Sequence, residues 1–331
     1  MRIAVFDSKQ YDRTALTAAN QQHQHDLVFF DDRLNIKTVP LAEGFDVVCP
    51  FVNDKLDAPT MAKLAKLGVQ LVTLRCAGYN GVDLDAAKLH GITVTRVPAY
   101  SPEAVAEHVF ALLLTLIRKT HRAFNRVRDG NFTLDGLEGF NLHGRTFGVV
   151  GAGKIGLATA RIARGFGCKV LAFDPYPPAT CDVGCEFVTL DELFAQADVI
   201  SLHSPLFPTT HHMINAHTLA KMKEGVVLIN TSRGGLINTL ALIKSLKSGH
   251  VGGVGLDVYE HEEGVFFEDL SDSMLKDDVL ARLTTFPNVV ITSHQGFLTT
   301  EALNNIAASV LESVAQFAQK LPLSNEVKAG A

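Results

Sequence analysis

Three glycines in Gly151-Ala-Gly153-Lys-Ile-Gly156, entered from the apolar run Phe147-Gly-Val-Val, have the spacing of a strand that turns sharply into a helix. Without side chains there the backbone can lie against a pyrophosphate, and a helix starting at that point offers N–H groups and the positive end of its dipole. Asp174 closes the next strand-like run, 23 residues after Gly151. A carboxylate so placed accepts the two hydroxyls of an adenosine ribose and repels a 2′-phosphate, which favours NAD over NADP. Farther along stand Arg233 in Asn-Thr-Ser-Arg-Gly-Gly, Glu262 in Asp-Val-Tyr-Glu-His-Glu and His294 in Thr-Ser-His-Gln-Gly. An Arg presents a planar fork to a carboxylate, and a His can protonate a carbonyl oxygen while hydride reaches its carbon. A Glu beside such a His fixes its tautomer and stabilises the imidazolium. Taken singly, each has an ordinary alternative: a surface ion pair for Arg233, a solvated acid beside Glu260 and Glu263, one structural His among 13. Taken together, the residues read as a nicotinamide-dependent redox site.

Such residues converge only if strand ends bring them to one edge. Short β-branched or apolar runs recur at Ile3 to Phe6, Val47 to Phe51, Gln70 to Leu74 and Ile92 to Thr95, separated by helical spacing at Thr14 to Asn20, Met61 to Leu67 and Asp83 to Leu89. Strands alternating with helices predict a parallel sheet covered on both faces. One long helix is expected from Ser101, a good N-cap followed by Pro102, to about Arg128. The alternation then restarts at Thr146 to Val150, Lys169 to Phe173, Val199 to Leu202, Val226 to Asn230, Gly255 to Val258 and Val289 to Thr292, a second doubly wound unit. An amphipathic helix over Thr300 to Lys320 follows that last strand and is expected to return to the first unit. In such α/β sheets ligands bind beyond the carboxyl ends of the strands, where Arg233, Glu262 and His294 all fall.

The 331 residues are 47% hydrophobic, enough for two cores. Thirty basic against 35 acidic residues leave a net charge of −5, which argues against nucleic acid or an anionic membrane as the main partner. The opening MRIAVFD has no secretory pattern. The apolar run Val109 to Ile117 is about half of what a spanning helix needs, so a soluble protein is expected. Five cysteines without Cys-x-x-Cys spacing fit a reduced, cytoplasmic chain, with Cys181 and Cys185 in a loop without a role. No metal is expected: the pair His211 and His212 has no evident carboxylate partner.

Whole-chain resemblance sharpens this reading. The stretches Leu74-Arg-Cys-Ala-Gly-Tyr-Asn-Gly-Val-Asp-Leu, Val97-Pro-Ala-Tyr-Ser-Pro-Glu-Ala-Val-Ala-Glu-His, Gly151-Ala-Gly-Lys-Ile-Gly, Phe173-Asp-Pro-Tyr-Pro, Asn230-Thr-Ser-Arg-Gly-Gly, Asp257-Val-Tyr-Glu, Phe266-Phe-Glu-Asp and His294-Gln-Gly-Phe-Leu-Thr resemble the D-isomer-specific 2-hydroxyacid dehydrogenase family, over about residues 1 to 325. Within it they are most similar to the bacterial fermentative D-lactate dehydrogenases. The resemblance implies an α/β fold of two doubly wound parallel-sheet domains. A Rossmann-type NAD domain (100–298) would be inserted in a smaller, flavodoxin-like substrate domain (1–99 and 299–331). It implies that His294 is the general acid in pyruvate reduction and the base in D-lactate oxidation, that Glu262 pairs with it, and that Arg233 orients the 2-oxo acid. Main-chain N–H groups at Cys76, Ala77 and Gly78, with Tyr100, would receive the substrate carboxylate. Phe51 and Phe297 would flank the substrate methyl and favour a small acid. Lys154, Ile155, Ser204, Pro205, Thr231, Ser232, Arg233 and Asp257 would join the glycines and Asp174 in holding NAD, with Asp257 near the nicotinamide. A homodimer or homotetramer is implied. The alternatives are a relative acting on another 2-oxo acid and a dinucleotide-sensing binding protein; the latter would call for an interaction tail or basic patch that the chain lacks.

Overall fold

Val47-Val-Cys and Val226-Val-Leu-Ile-Asn carry apolar residues without polar alternation, the pattern of strands covered on both faces, and every residue in both is buried. The computed structural model describes residues 1–178 and 181–329. It divides into two units, Met1–Ser101 with the chain from Leu298 onward, and Pro102–Phe297.

In the first unit, strands β1 (Arg2–Val5), β2 (Asp26–Phe29), β3 (Val47–Cys49), β4 (Leu71–Thr73) and β5 (Thr93–Thr95) alternate with helices α1 (Gln10–Asn20), α2 (Ala58–Lys66) and α3 (Leu84–Leu89). The strands are parallel in the order β2-β1-β3-β4-β5, the flavodoxin-like arrangement. Phe6, Leu34, Met61, Leu64 and Val72 lie in its core. The last helix of the chain, which closes this unit, packs on α1 and β4. The tail beyond that helix pairs with the edge strand, where the Val327 N–H donates to the Val94 carbonyl at 2.9 Å.

The second unit begins with α4 (Pro102–Arg118) and α5 (Thr120–Arg128). It continues through β6 (Thr146–Val150), α6 (Lys154–Gly165), β7 (Lys169–Phe173), β8 (Glu186–Phe187), α7 (Leu190–Gln196), β9 (Val199–Leu202), α8 (Ala216–Leu219), β10 (Val226–Asn230), α9 (Thr239–Ser248), β11 (Val251–Leu256), α10 (Asp278–Thr284) and β12 (Val289–Ile291), while α11 (Thr300–Ala318) is the closing helix of the first unit. Its seven parallel strands run β12-β11-β10-β9-β6-β7-β8. Numbered from β6, that is the dinucleotide-binding order 3-2-1-4-5-6 with one strand added, reversing between β6 and β9. Helix α4 packs on α6 and on β10, β11 and β12.

The helix expected to run unbroken from Ser101 to Arg128 is two helices. Lys119 takes a left-handed conformation with φ +51°, and the axis breaks there. The cause is a change in apolar content: α4 buries Val105, Val109, Leu112, Leu113 and Leu116, whereas α5 buries nothing. Two further elements, β2 and the two-residue β8, fall outside the strand-like runs read from the sequence. Among the described residues no helix is long and apolar enough to cross a membrane.

Candidate active site

Strand β6 runs into Gly151 at φ +101°, a left-handed conformation that costs glycine little. A Cβ there would come within 2.8 Å of the His203 carbonyl, and one at Gly156 within 1.9 Å of the Gly151 oxygen. Those two glycines are therefore demanded by the protein's own packing. Gly153 is different: a Cβ at this position, the N-cap of α6, meets nothing within 4 Å, and no side chain caps the helix. The first turn of a 12-residue helix thus offers N–H groups and a dipole end beside open space, which fits a pyrophosphate. Asp174 accepts N–H groups from Ala152 at 2.8 Å and Tyr176 at 2.9 Å, which ties it to the glycine turn while each oxygen keeps acceptor capacity. The Thr231 hydroxyl, beyond β10, is buried without a partner among the described residues. These features fit NAD, with Lys154 and Ile155 opening α6 beside them.

Ser204 and Pro205 follow β9. The Ser204 carbonyl accepts the Ser232 hydroxyl at 2.7 Å, which ties the ends of β9 and β10. Asn230 then braces the following turn, accepting the Ser232 N–H at 3.0 Å and donating to the Arg233 carbonyl at 2.9 Å. Arg233 is half-buried and gives one donor to the Ser232 carbonyl at 2.7 Å. No carboxylate of the described residues pairs with it, so most of its fork is unspent. Gly234 sets this turn against the β11 loop, since a Cβ would fall 2.0 Å from the Tyr259 carbonyl carbon.

That loop carries Glu262, whose Oε1 lies 3.0 Å from His294 Nδ1. Glu262 Oε2 accepts the Tyr259 N–H at 3.2 Å, which orients the carboxylate. An ionised Glu262 is acceptor-only, so Nδ1 carries a proton and Nε2 of His294, which makes no hydrogen bond among the described residues, is the working nitrogen. His294 has φ +56°, an uncommon conformation for a non-glycine residue. Its N–H donates to the Asp257 carbonyl at 2.7 Å. Asp257, assigned from resemblance to the nicotinamide's surroundings, spends its carboxylate on protein donors. Oδ1 accepts the Thr292 hydroxyl at 2.5 Å and the Gln295 N–H at 2.9 Å, and Oδ2 the Gly296 N–H at 2.8 Å. Burial alone would raise the Asp257 carboxyl, but hydrogen bonds from His108 and Thr292, the His108 charge and the Gln295 N–H hold it at about 2.

The first unit holds its own share of the residues named from the sequence. Cys76, Ala77 and Gly78 form the bend after β4, braced by Arg96, which donates to the Ala77 carbonyl at 3.0 Å. The N–H groups of Ala77 and Gly78 donate to no acceptor among the described residues. Phe51 follows β3, buried, with the Arg75 guanidinium 4.8 Å over its ring. The Tyr100 carbonyl accepts from Asn305 at 2.6 Å, and Phe297 ends the second unit, half-buried.

Two expectations are corrected. His212 does have a carboxylate partner: its Nε2 bonds Glu260, which also accepts the Thr239 hydroxyl at 2.9 Å. Burial opposes ionisation of Glu260, yet the bonds from His212 and Thr239 keep its carboxyl below the ordinary range. With His211 the three offer donor atoms within 4.8 Å of one another. The two rings stack at 3.8 Å, and both His212 ring nitrogens are already engaged, Nε2 with Glu260 and Nδ1 with the Asn238 side-chain amide at 3.3 Å. Cys181 and Cys185 are not free thiols in a bland loop but a disulfide, with Cα atoms 5.7 Å apart. Gly184, at φ +73°, turns the chain back and donates its N–H to the Cys181 carbonyl. His108, Thr292 and Gly296 also gather around Asp257; Thr292 and Gly296 could have been marked by their place beside His294, whereas nothing local in the sequence marks His108.

A sequence profile described as D-isomer specific 2-hydroxyacid dehydrogenase, NAD binding domain, matches residues 110–296. The chain is 48% identical to the D-lactate dehydrogenase of Escherichia coli strain K12 over 99% of this chain and 100% of that one. It is 52% identical to a 2-hydroxyacid dehydrogenase homolog of Haemophilus influenzae over 95% of each. The solved apo-structure of D-lactate dehydrogenase from Escherichia coli superposes with TM-score 0.91 at 47% identity, covering 99% of this chain and 100% of that one. An NAD-complexed D-isomer specific 2-hydroxyacid dehydrogenase of Lactobacillus delbrueckii ssp. bulgaricus does so with TM-score 0.82 at 31% identity, over 99% and 100%.

Proposed function

The chain belongs to the D-isomer-specific 2-hydroxyacid dehydrogenase family, an NAD-dependent oxidoreductase of two parallel-sheet α/β units, and from that premise we propose that it interconverts pyruvate and D-lactate with His294 as acid and base. The observation that carries the assignment is the His294 Nδ1 to Glu262 Oε1 pair at 3.0 Å, which fixes one nitrogen and leaves the other to work. When bound, NADH supplies the hydride equivalent. His294 gives the proton on Nε2 to the carbonyl oxygen in the forward direction and takes it from the hydroxyl in reverse, while Glu262 stabilises the imidazolium. Arg233 offers its unspent donors to the 2-oxo acid. The N–H groups at Ala77 and Gly78, with Cys76 and Tyr100, are assigned to the carboxylate, and Phe51 and Phe297 to the methyl group. Asp174, Thr231 and the first turn of α6 hold NAD, with Ser204, Pro205 and Ser232 shaping the adjoining strand ends.

The expected setting is cytoplasmic, where pyruvate reduction would regenerate NAD in fermentation. A homodimer or homotetramer is proposed, supported by the exposed apolar residues Phe124, Val127, Phe132 and Leu134 in and after α5. The test is NADH oxidation by the purified protein with pyruvate, beside NADPH and larger 2-oxo acids, with the product's handedness determined. Rapid, NADH-preferring formation of D-lactate is expected. His294→Ala should lower kcat by roughly 10² to 10⁴ with NADH still bound; near-full turnover by that variant would remove His294 from its role.

A further inference from the structure

The proton-transfer histidine is held at both ends, its ring by Glu262 and its backbone by Asp257. Four donors converge on the Asp257 carboxylate, and three of them, from Thr292, Gln295 and Gly296, belong to the loop that carries His294. The fourth comes from elsewhere. Nε2 of His108, on α4, lies 3.2 Å from Asp257 Oδ1 and 3.1 Å from Thr292 Oγ1.

The direction of these bonds follows from proton counting. Thr292 has one hydroxyl proton and gives it to Asp257 Oδ1, leaving its oxygen to His108 as an acceptor. Asp257 is ionised and can only accept. His108 must therefore carry its proton on Nε2 and donate it to this pair of oxygens. Its backbone is immobilised by Ala104, Val105, Ala106 and Val109, all buried. The His294 loop rests on its ring: a Cβ at Gly296 would lie 3.5 Å from His108 Cδ2 and 3.0 Å from Asp257 Oδ2.

We infer that His108 is a positioning residue for the reaction, a fixed donor on α4 that holds the Asp257 carboxylate and Thr292 in the arrangement that keeps His294 in its left-handed backbone conformation. The inference rests on His294 being the proton-transfer group. Without the His108 donor, Asp257 and Thr292 can turn, and His294 Nε2 shifts with its loop. Misplacement of a reacting group by about 1 Å costs up to roughly 10²-fold in rate. The effect should fall on kcat rather than on NADH binding, because Gly153 and Asp174 belong to other strand ends.

The test compares His108→Phe, which keeps the ring's bulk and loses the donor, with His108→Gln, which returns an N–H, in the full-length protein. Turnover with pyruvate, KM, NADH affinity by fluorescence titration and Tm are measured together. His108→Phe is expected to lower kcat by about 10- to 100-fold with NADH affinity within about threefold, and His108→Gln to recover most of the loss. The inference is overturned if His108→Phe stays within about twofold of the parent, if His108→Gln is as slow as His108→Phe, or if kcat falls only in step with NADH affinity and Tm. His294→Ala in the same assay separates the two readings. If that variant keeps its activity, the assignment of the proton donor fails; if it is inactive while His108→Phe is fast, only the role of His108 fails.

Discussion

Each unit places an arginine just beyond a strand, and the two do opposite things. Arg75, after β4, is 1% exposed. Its Nε meets Asp12 at 3.2 Å, and its terminal nitrogens donate to the carbonyls of Cys49 at 3.0 Å and Asp7 at 2.7 Å. Burial works against its charge, and Asp12, Cys49, Asp54 and Asp7 together more than restore it. Arg233, after β10, is half-buried and gives one bond to the carbonyl beside it. The chemical group is the same in both, and what differs is whether the protein has already used its donors. A guanidinium with every face satisfied is a cross-brace between β1, β3 and β4, whereas one with an open fork is equipped to receive a carboxylate.

Exchanging the roles of these arginines gives the largest expected effect. Arg75→Met leaves buried Asp12 unpaired and should cost about 3 to 5 kcal/mol of stability, read as a fall in denaturant midpoint. Arg233→Lys should leave that midpoint nearly unchanged while lowering kcat/KM for pyruvate by roughly 10²-fold, because the charge remains and the fork is lost. An Arg75 variant that melts normally yet loses activity would break the contrast, as would an Arg233 variant that fails to fold.

A smaller effect sharpens the same comparison by pH. Burial raises the Asp54 carboxyl of the first unit to about 6, against the N–H of Phe51 and the charge of Arg75. Burial also lowers His203 of the second unit to about 4. Between about pH 4 and 6 folded Asp54 keeps a proton that the unfolded chain has released, so its penalty grows as pH rises. Between about pH 6.5 and 4 the unfolded chain binds a proton that folded His203 refuses, so stability is lost as pH falls. Acidification from pH 6.5 to 4.5 should thus strengthen the first unit and weaken the second, each by about 2 kcal/mol. Hydrogen exchange at β1 and β3 against β9 and β10, corrected for intrinsic rates, reads the two separately. Movement of both in one direction, or no change on His203→Gln, would show that these groups do not govern it.

Much of the fold was legible because its signals are local. Parallel strands buried on both faces need continuous apolar runs, and Val226-Val-Leu-Ile-Asn has one; β2 begins with an aspartate and β8 has two residues, too short for any periodicity to register. The helix break at Lys119 escaped because Thr120 onward still has helical spacing, and only the loss of a packing surface ends α4. At the site, Gly151 and Gly156 were readable as a tight turn. Gly296 was not, since its need for a bare backbone comes from Asp257 and His108, distant in the chain. The disulfide was missed because Cys-x-x-x-C spacing by itself does not say whether the intervening turn closes.

Local sequence carries the alternation of strands and helices, the glycine turn that opens α6, and the residue types able to move a proton and hold a carboxylate. These rest on backbone propensity and on side-chain chemistry, which travel with the residue. What each histidine is left to do depends on tertiary partners. His108, His212 and His294 each meet a carboxylate, yet His212 spends both ring nitrogens, on Glu260 and Asn238, His108 gives Nε2 to the internal Asp257 and Thr292 brace, and His294, tied to Glu262 through Nδ1, has no bond at Nε2 among the described residues. That outcome depends on partners brought together from separate strand ends, since a side chain's reactivity is set by the donors and acceptors that folding leaves unpaired.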